Sequence, residues 1–228
     1  MTCEETYFVF SVSSMTAPVP ASWPESSRPP DRILAEARAL FFSRGYAAFT
    51  MDDLALACGM SKKTLYVHFA GKDATLRAVI DSIAAEIRAD ADQLLNERRL
   101  QFIEKLRGFA QAMIERFPPL TATFLLELET RAPALHRHLL RTRARTIPDI
   151  FGRFVEEGQL SGAIRDDILP SFATEFFLHA MQGLMQGSTL KHLRIGADAC
   201  FDQAIRLFFG GLLTPEGRHD YETAFASR

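Results

Sequence analysis

Residues 50–69, TMDDLALACGMSKKTLYVHF, constrain this chain more tightly than any other stretch. They predict two short helices that meet at a glycine. Thr50 followed three residues later by Asp53 is a relaxed capping box, with Asp in place of the usual Glu or Gln. Leu54, Ala55 and Cys58 then face inward, and Gly59 supplies the positive φ that lets the chain reverse within a few residues. Ser61 caps the second helix, and Leu65 and Phe69, four residues apart, hold its inner side against a small core. Two helices joined this way form a helix-turn-helix, which lays its second helix in the DNA major groove.

The rest of the chain follows the helical period. Ile33, Leu34, Ala37, Leu40 and Phe41 share one face of a helix that Gly45 closes, and a longer helix after Gly71 buries Leu76, Val79, Ile80, Ile83 and Ile87. That helix is expected to run to about residue 95 and to lead into helices near 99–117, 120–130, 133–158, 170–187 and 198–213. Pro118-Pro119, Pro133 and Pro170 mark starts. No alternating strand pattern appears, so the expected fold is all-α. Its parts are a disordered arm over 1–30, a three-helix DNA-binding domain over 31–80, a larger helical ligand-binding and dimerisation domain over 81–215, and a tail over 216–228. The arm is rich in Pro and Ser and too polar to order itself. Tyr7-Phe8-Val9-Phe10 follows two glutamates and not a basic segment, which argues against a signal peptide, and Met15 is an alternative start.

A groove-reading helix must expose donors. Lys62, Lys63, Thr64, Tyr66, Val67 and His68 fall outside the Leu65–Phe69 stripe. Lysine donates to guanine O6 and N7, and an apolar group such as Val67 meets a thymine methyl. Thr50, Thr64, Tyr66 and Lys72 suit phosphate, which positions a domain without reading sequence, and Ser61 is a further candidate DNA contact. The net charge of −2 requires any such binding to come from a local patch. Between Lys62 and Lys72 no acid intervenes in the sequence.

The segment Ile33 to Ile80 resembles the DNA-binding domain of the TetR/AcrR family of bacterial transcriptional repressors. The resemblance is carried by Leu40-Phe41, Gly45-Tyr46, Asp53-Leu54-Ala55, Cys58-Gly59-Met60-Ser61, Thr64-Leu65-Tyr66-Val67-His68-Phe69 and Lys72-Asp73-Ala74-Thr75-Leu76. It implies that Lys62, Lys63, Thr64, Tyr66 and His68 occupy recognition-helix contact positions and Lys72 a phosphate-contact position. Cys58 stands where alanine is usual, and Gly71 where a serine usually caps the fourth helix. The resemblance also implies a bacterial, cytoplasmic homodimer on a roughly palindromic double-stranded operator, released by a small ligand. Residues 100–213 more weakly resemble the AefR-like type of C-terminal domain, through Arg131-Ala132-Pro133-Ala134-Leu135, Ile147-Pro148 and Phe151.

Nineteen phenylalanines are many for 228 residues. Phe109, Met113, Phe124, Phe151 and Phe176 are candidates to line an apolar cavity for a hydrophobic or aromatic ligand, with His179 and Gln182 as polar contacts. Plain core for the aromatics, and a solvent-facing position for the polar pair, are the competing readings. The helices near 170–187 and 198–213 are apolar on most sides and so need burial, in the domain or against a second copy; a homodimer that joins these last two helices of each copy in a four-helix interface is the preferred reading. Arg131 to Arg145, with five arginines and two histidines, reads either as an anion-attracting surface or as a solvated face partly paired with acids such as Glu127, Glu129 and Asp149.

Other classes fare worse. There is no HExxH, glycine-rich phosphate loop or GxSxG, and the three cysteines form no CxxC, so neither an enzyme nor a metal or cofactor site is expected. No apolar run reaches the roughly 18 residues of a membrane span. The remaining alternative is a helical ligand-binding or scaffold protein whose first bundle no longer binds DNA.

Overall fold

The computed structural model describes residues 29–116 and 122–226. They form α1 (Pro29–Ala48), α2 (Met51–Ala57), α3 (Lys62–His68), α4 (Lys72–Asn96), α5 (Phe102–Arg116), α6 (Ala122–Arg131), α7 (Pro133–Leu160), α8 (Pro170–Leu184), α9 (Gly187–Leu193), α10 (Ala197–Leu212) and α11 (Pro215–Ala226). Among the described residues there is no strand, only an isolated antiparallel bridge between Ile164 and Leu213. The fold is all-α, as the periodicity predicts. No helix among them is long and apolar enough to cross a membrane.

The first three helices close on Ile33, Ala37, Phe41, Phe49, Leu54, Leu65 and Leu76, all essentially inaccessible to solvent. Phe41 and Phe49 stack nearly parallel, with ring centroids 3.9 Å apart and planes 17° from one another. The core is continuous with α4, whose buried stripe Leu76, Val79, Ile80, Ile83, Ile87 and Ala91 extends past the N-terminal bundle into the second one. One helix therefore belongs to both domains.

Polar contacts tie α4 to α7 along its length. Asp81 pairs with His138 at 2.8 Å, Arg88 donates to the Thr146 hydroxyl at 2.8 Å, and Asp92 pairs with Arg153. The basic run on α7 is thus partly clamped to α4, through a different acid from those its sequence neighbourhood suggests. The far end of α4 is held by Lys105 of α5, whose buried ammonium donates to the Leu95 carbonyl at 3.0 Å and to the Glu157 carboxylate of α7. A cation at a helix C-terminus meets the negative end of the macrodipole. Glu157→Ala would leave that ammonium buried with one carbonyl. The expected loss is roughly 2 kcal/mol, below the ~3–5 kcal/mol of a fully enclosed broken pair because Glu157 is partly in water. Urea unfolding at neutral pH measures it; a change under ~0.5 kcal/mol would contradict the assignment.

Two C-terminal elements differ from the sequence expectation. The helix expected to reach 187 stops at Leu184, and Gln186 turns extended (φ −75°, ψ 139°) before α9. The segment expected as a tail is helical: α11 begins with Thr214 accepting from Gly217 N at 3.1 Å, with Pro215 in its first turn. Thr-Pro at that point is a helix-start signature in the sequence itself.

Candidate nucleic-acid interface

Two capping systems set the geometry of the reading head. Thr50 (φ −126°, ψ 157°) caps α2; its hydroxyl accepts from Asp53 N at 3.1 Å and donates to Asp53 Oδ2 at 2.7 Å. Arg44 pairs with the same carboxylate at 3.2 Å. The Thr50 hydroxyl, assisted by Arg44, holds Asp53 below the usual carboxylate range. At the other end of α2, Gly59 (φ 62°) donates to Leu56 O at 3.0 Å and Met60 N donates to Ala55 O at 3.0 Å. These paired bonds are a Schellman motif, and the left-handed glycine is what reverses the chain toward α3. Ser61 then caps α3, accepting from Thr64 N at 3.1 Å, while the two hydroxyls bond each other at 2.8 Å.

α3 has one fully buried side chain, Leu65, with Phe69 half-buried just past its end. Lys62, Lys63, Thr64, Tyr66, Val67 and His68 are all exposed, Tyr66 at 50% and Val67 at 77%. A branched aliphatic left in water beside lysines and an aromatic ring is an unusual surface for a solitary helix and suits contact with a groove floor. Leu56 of α2, 83% exposed, adds apolar surface that the sequence pattern does not single out. Lys63 has no partner among the described residues. Lys62 does: it pairs with Asp52 in the first turn of α2. Sequence order leaves the lysines unopposed, but the turn at Gly59 folds an acid back onto Lys62.

Lys72, at the start of α4, is less available than a free phosphate clamp. Its ammonium sits 4.2 Å from the centroid of the Tyr46 ring and 3.5 Å from the Ala47 carbonyl. Burial lowers its pKa from the ordinary lysine value, opposed by Glu127 and Asp73. Tyr46 donates to Asp73 Oδ1 at 2.8 Å, and burial together with that bond pushes its phenol up to about 12.

The same corner joins the head to the second bundle. Gly45 (φ 82°, ψ 172°) interrupts the helical backbone of α1 and turns the next two amides outward. Glu127 of α6 accepts from Tyr46 N at 2.9 Å and Ala47 N at 3.0 Å. A side chain at Gly45 would come within 2.9 Å of that carboxylate. Glu127 was expected to balance the arginines of α7; instead it caps the break in α1. Nothing local marks it, because its partners lie 80 and 81 positions away.

The ligand-pocket candidates scatter. Phe109 and Phe151 border a small apolar cavity with Phe201, Ile205, Phe209 and Tyr221, but its volume is only about 20 Å³. That space holds one water-sized body. The rings fill the rest: Phe151 lies 4.1 Å from Phe177, and Phe109 4.8 Å from Phe154. Phe176 and His179 point to solvent from α8, and Gln182 is half-exposed. The side chains of Met113 and Phe124 lie outside the described residues. Cys58 and Cys200 are buried free thiols, and burial raises Cys58 to about 11.

Residues 33–79 match the family described as bacterial regulatory proteins, tetR family. Over most of its length the chain is similar to HTH-type transcriptional regulators. It is 27% identical over 193 residues to the HTH-type transcriptional regulator UidR of Escherichia coli strain K12, covering 80% of this chain and 92% of that one. It is 24% identical over 184 residues to the HTH-type transcriptional repressor DhaR of Mycobacterium sp. strain GP1, covering 79% and 90%. Residues 33–79 thus form a DNA-binding domain of the tetR type. The regulatory protein TetR from Rhodobacter sphaeroides shares the fold of the chain with a TM-score of 0.61 at 17% identity, covering 82% of this chain and all of the other. Reduced NemR of E. coli does so at 0.60 and 16%, covering 82% and 99%. With that domain and these relatives, the chain is a DNA-binding transcriptional regulator and not an enzyme. Members of the family bind operator DNA and work as dimers.

Proposed function

We propose that this regulator is a dimeric repressor that reads a roughly palindromic operator with α3 and is released by a small hydrophobic or aromatic ligand. The reading rests first on the exposed front of α3, held from behind by Leu65 and presenting Lys62, Lys63, Tyr66, Val67 and His68. Thr50, Ser61, Thr64 and Lys72 serve phosphate in this reading. The Ser61 and Thr64 hydroxyls would exchange their mutual bond for phosphate oxygens.

The dimer surface proposed is the outer face of α8 and α10. Phe172 (64% exposed) and Phe176 (60%) stack on α8 at 6.4 Å, and Leu207 (82%) stands out from α10. Phe172, Phe176, His179 and Gly183 repeat at helical spacing, as do Gln203, Leu207 and Gly211, and all are exposed. Such a face loses free energy in water and gains it against a copy of itself. A two-fold dimer would place two α3 helices about 34–36 Å apart, one turn of DNA.

For the ligand, the support is the aromatic interior between α5, α7, α10 and α11. A ligand pocket of ~300–1,000 Å³ is far larger than the cavity there, so binding requires the phenylalanines to part. Movement of α6 would then reach the head through Glu127. In vitro selection of bound duplexes from a random pool tests the whole reading. Enrichment of an inverted repeat with half-sites one turn apart is expected, and Lys62→Ala should weaken the selected site by about 1–3 kcal/mol. A pool with no enriched sequence would sink it.

A further inference from the structure

We infer that the basic end of α9 is a second DNA contact: Lys191 and Arg194 meet backbone phosphates between the two half-sites that the α3 helices read. The inference rests on α3 being the groove-reading helix and on α8 and α10 forming the dimer face.

The fold carries this end of the second bundle back toward the head. α4 leaves the head at Lys72, and its partners on α7 rise together with it: Asp81 with His138, Arg88 with Thr146, Asp92 with Arg153. α7 therefore starts near the head and ends far from it. α8 returns alongside, with Phe177 against Phe151 and Thr174 beside Gly152. α9 then lies at the head-facing end, where it packs on α6. There Leu126 borders an open groove of about 570 Å³ with Ser188, Lys191, His192 and Arg194. The next residue, Glu127, accepts from Ala47 N at 3.0 Å, and the Ala47 carbonyl lies 3.5 Å from the ammonium of Lys72, the phosphate candidate of α4. Because α9 joins α8 to α10, its two copies in a dimer flank the two-fold axis and face the middle of the operator.

The groove has the chemistry of a polyanion contact. Ser188, Lys191, His192 and Arg194 are exposed, and none has a partner among the described residues. No acid among the described residues lines the groove. Arg194 carries a second sign. Its backbone is left-handed (φ 56°, ψ 34°), the one such non-glycine residue among those described, at a helix end where glycine is the usual choice. A guanidinium that binds phosphate offsets that backbone cost, and one left in water does not. A small anion gains little from charges screened in an open groove, whereas a duplex releases condensed counterions as its phosphates are neutralised.

The test uses the full-length protein with its selected duplex and a scrambled one, and reads dissociation constants over a range of salt. Lys191→Gln/Arg194→Gln removes two cations from each subunit, so the slope of log K against log salt should become shallower by up to ~3.6 per dimer, about 0.9 for each contact. At physiological salt both duplexes should bind at least about tenfold more weakly with their ratio little changed, because phosphate contacts carry no base information. Methylphosphonates, which lack the backbone charge, placed between the half-sites should weaken the parent and leave the variant nearly unmoved. Arg98→Gln/Arg99→Gln, an equal charge change just past the far end of α4, should leave the slope within ~0.9 of the parent. Arg194→Gly relieves the left-handed backbone and should melt no lower than the parent while still losing slope, which separates the contact from a role in folding. A double variant with the parental slope overturns the inference. So does an Arg98/Arg99 control that moves as far, or central methylphosphonates that weaken parent and variant equally. A parental slope together with inorganic phosphate raising the melting temperature of the parent alone would make the groove a small-anion site instead. A parent that binds no duplex overturns the reading of α3 and this inference together, whereas a parent that binds with Lys191 and Arg194 silent overturns only the inference.

Discussion

Phe176→Asp is expected to turn the dimer into a folded monomer and to weaken operator binding by roughly 10²–10⁴-fold, the range that linking two binding modules supplies. Phe176 is 60% exposed on α8, so the substitution removes little from the core of a single chain. In a two-fold interface it buries two unpaired carboxylates near one axis, and uncompensated burial of charge is severely unfavourable. Sedimentation equilibrium at micromolar protein, with a thermal melt to confirm folding, separates the cases. A variant that stays dimeric would move the interface away from α8 and α10.

Phe151→Ala is expected to destabilise the second bundle by about 3–5 kcal/mol, the usual range for a large aromatic removed from a tight core. Phe151 meets Phe177 at 4.1 Å, Phe208 at 6.0 Å, and Phe109 and Phe209 at 6.3 Å, so one ring supports four others. The space it vacates adjoins the existing cavity, and an apolar void of that kind stays dry and takes up small aromatics. Benzene or indole should therefore raise the melting temperature of Phe151→Ala while leaving the parent nearly unmoved. A variant as stable as the parent would mean that the ring packs loosely and that the interior is already open. That outcome would favour a preformed ligand pocket.

The reading head was legible in the sequence because its determinants are local. Thr50, Gly59 and Ser61 act within three residues of themselves, and Leu65 and Phe69 declare the inner side of α3 by spacing alone. What the sequence hid were contacts made by long-range closure. Asp52 and Lys62 are ten positions apart with a chain reversal between them, and Glu127 reaches the α1 break from another helix. Lys72 was legible as a cation but not as one resting on the Tyr46 ring. In the second bundle the apolar helices at 170–187 and 198–213 were recognisable as needing burial. Their division into an inner face (Phe177, Phe208, Phe209) and an outer one (Phe172, Phe176, Leu207) was not, because both faces are equally aromatic. The same ambiguity made Phe176 resemble a pocket residue. The last helix, α11, was announced by Thr214-Pro215 and could have been read.

Titration of one selected duplex by fluorescence anisotropy, at physiological salt, with the parent and with a Lys62→Ala/Val67→Ala variant, tests the front of α3 most directly. The parent should bind with a dissociation constant of about 10⁻⁸–10⁻¹¹ M, at least ~10³-fold tighter than a scrambled duplex. The variant should lose most of that preference while remaining dimeric and folded. Equal affinity of parent and variant for the selected site, or parent binding no tighter than the ~10⁻⁴–10⁻⁶ M of indiscriminate contact, would contradict the account.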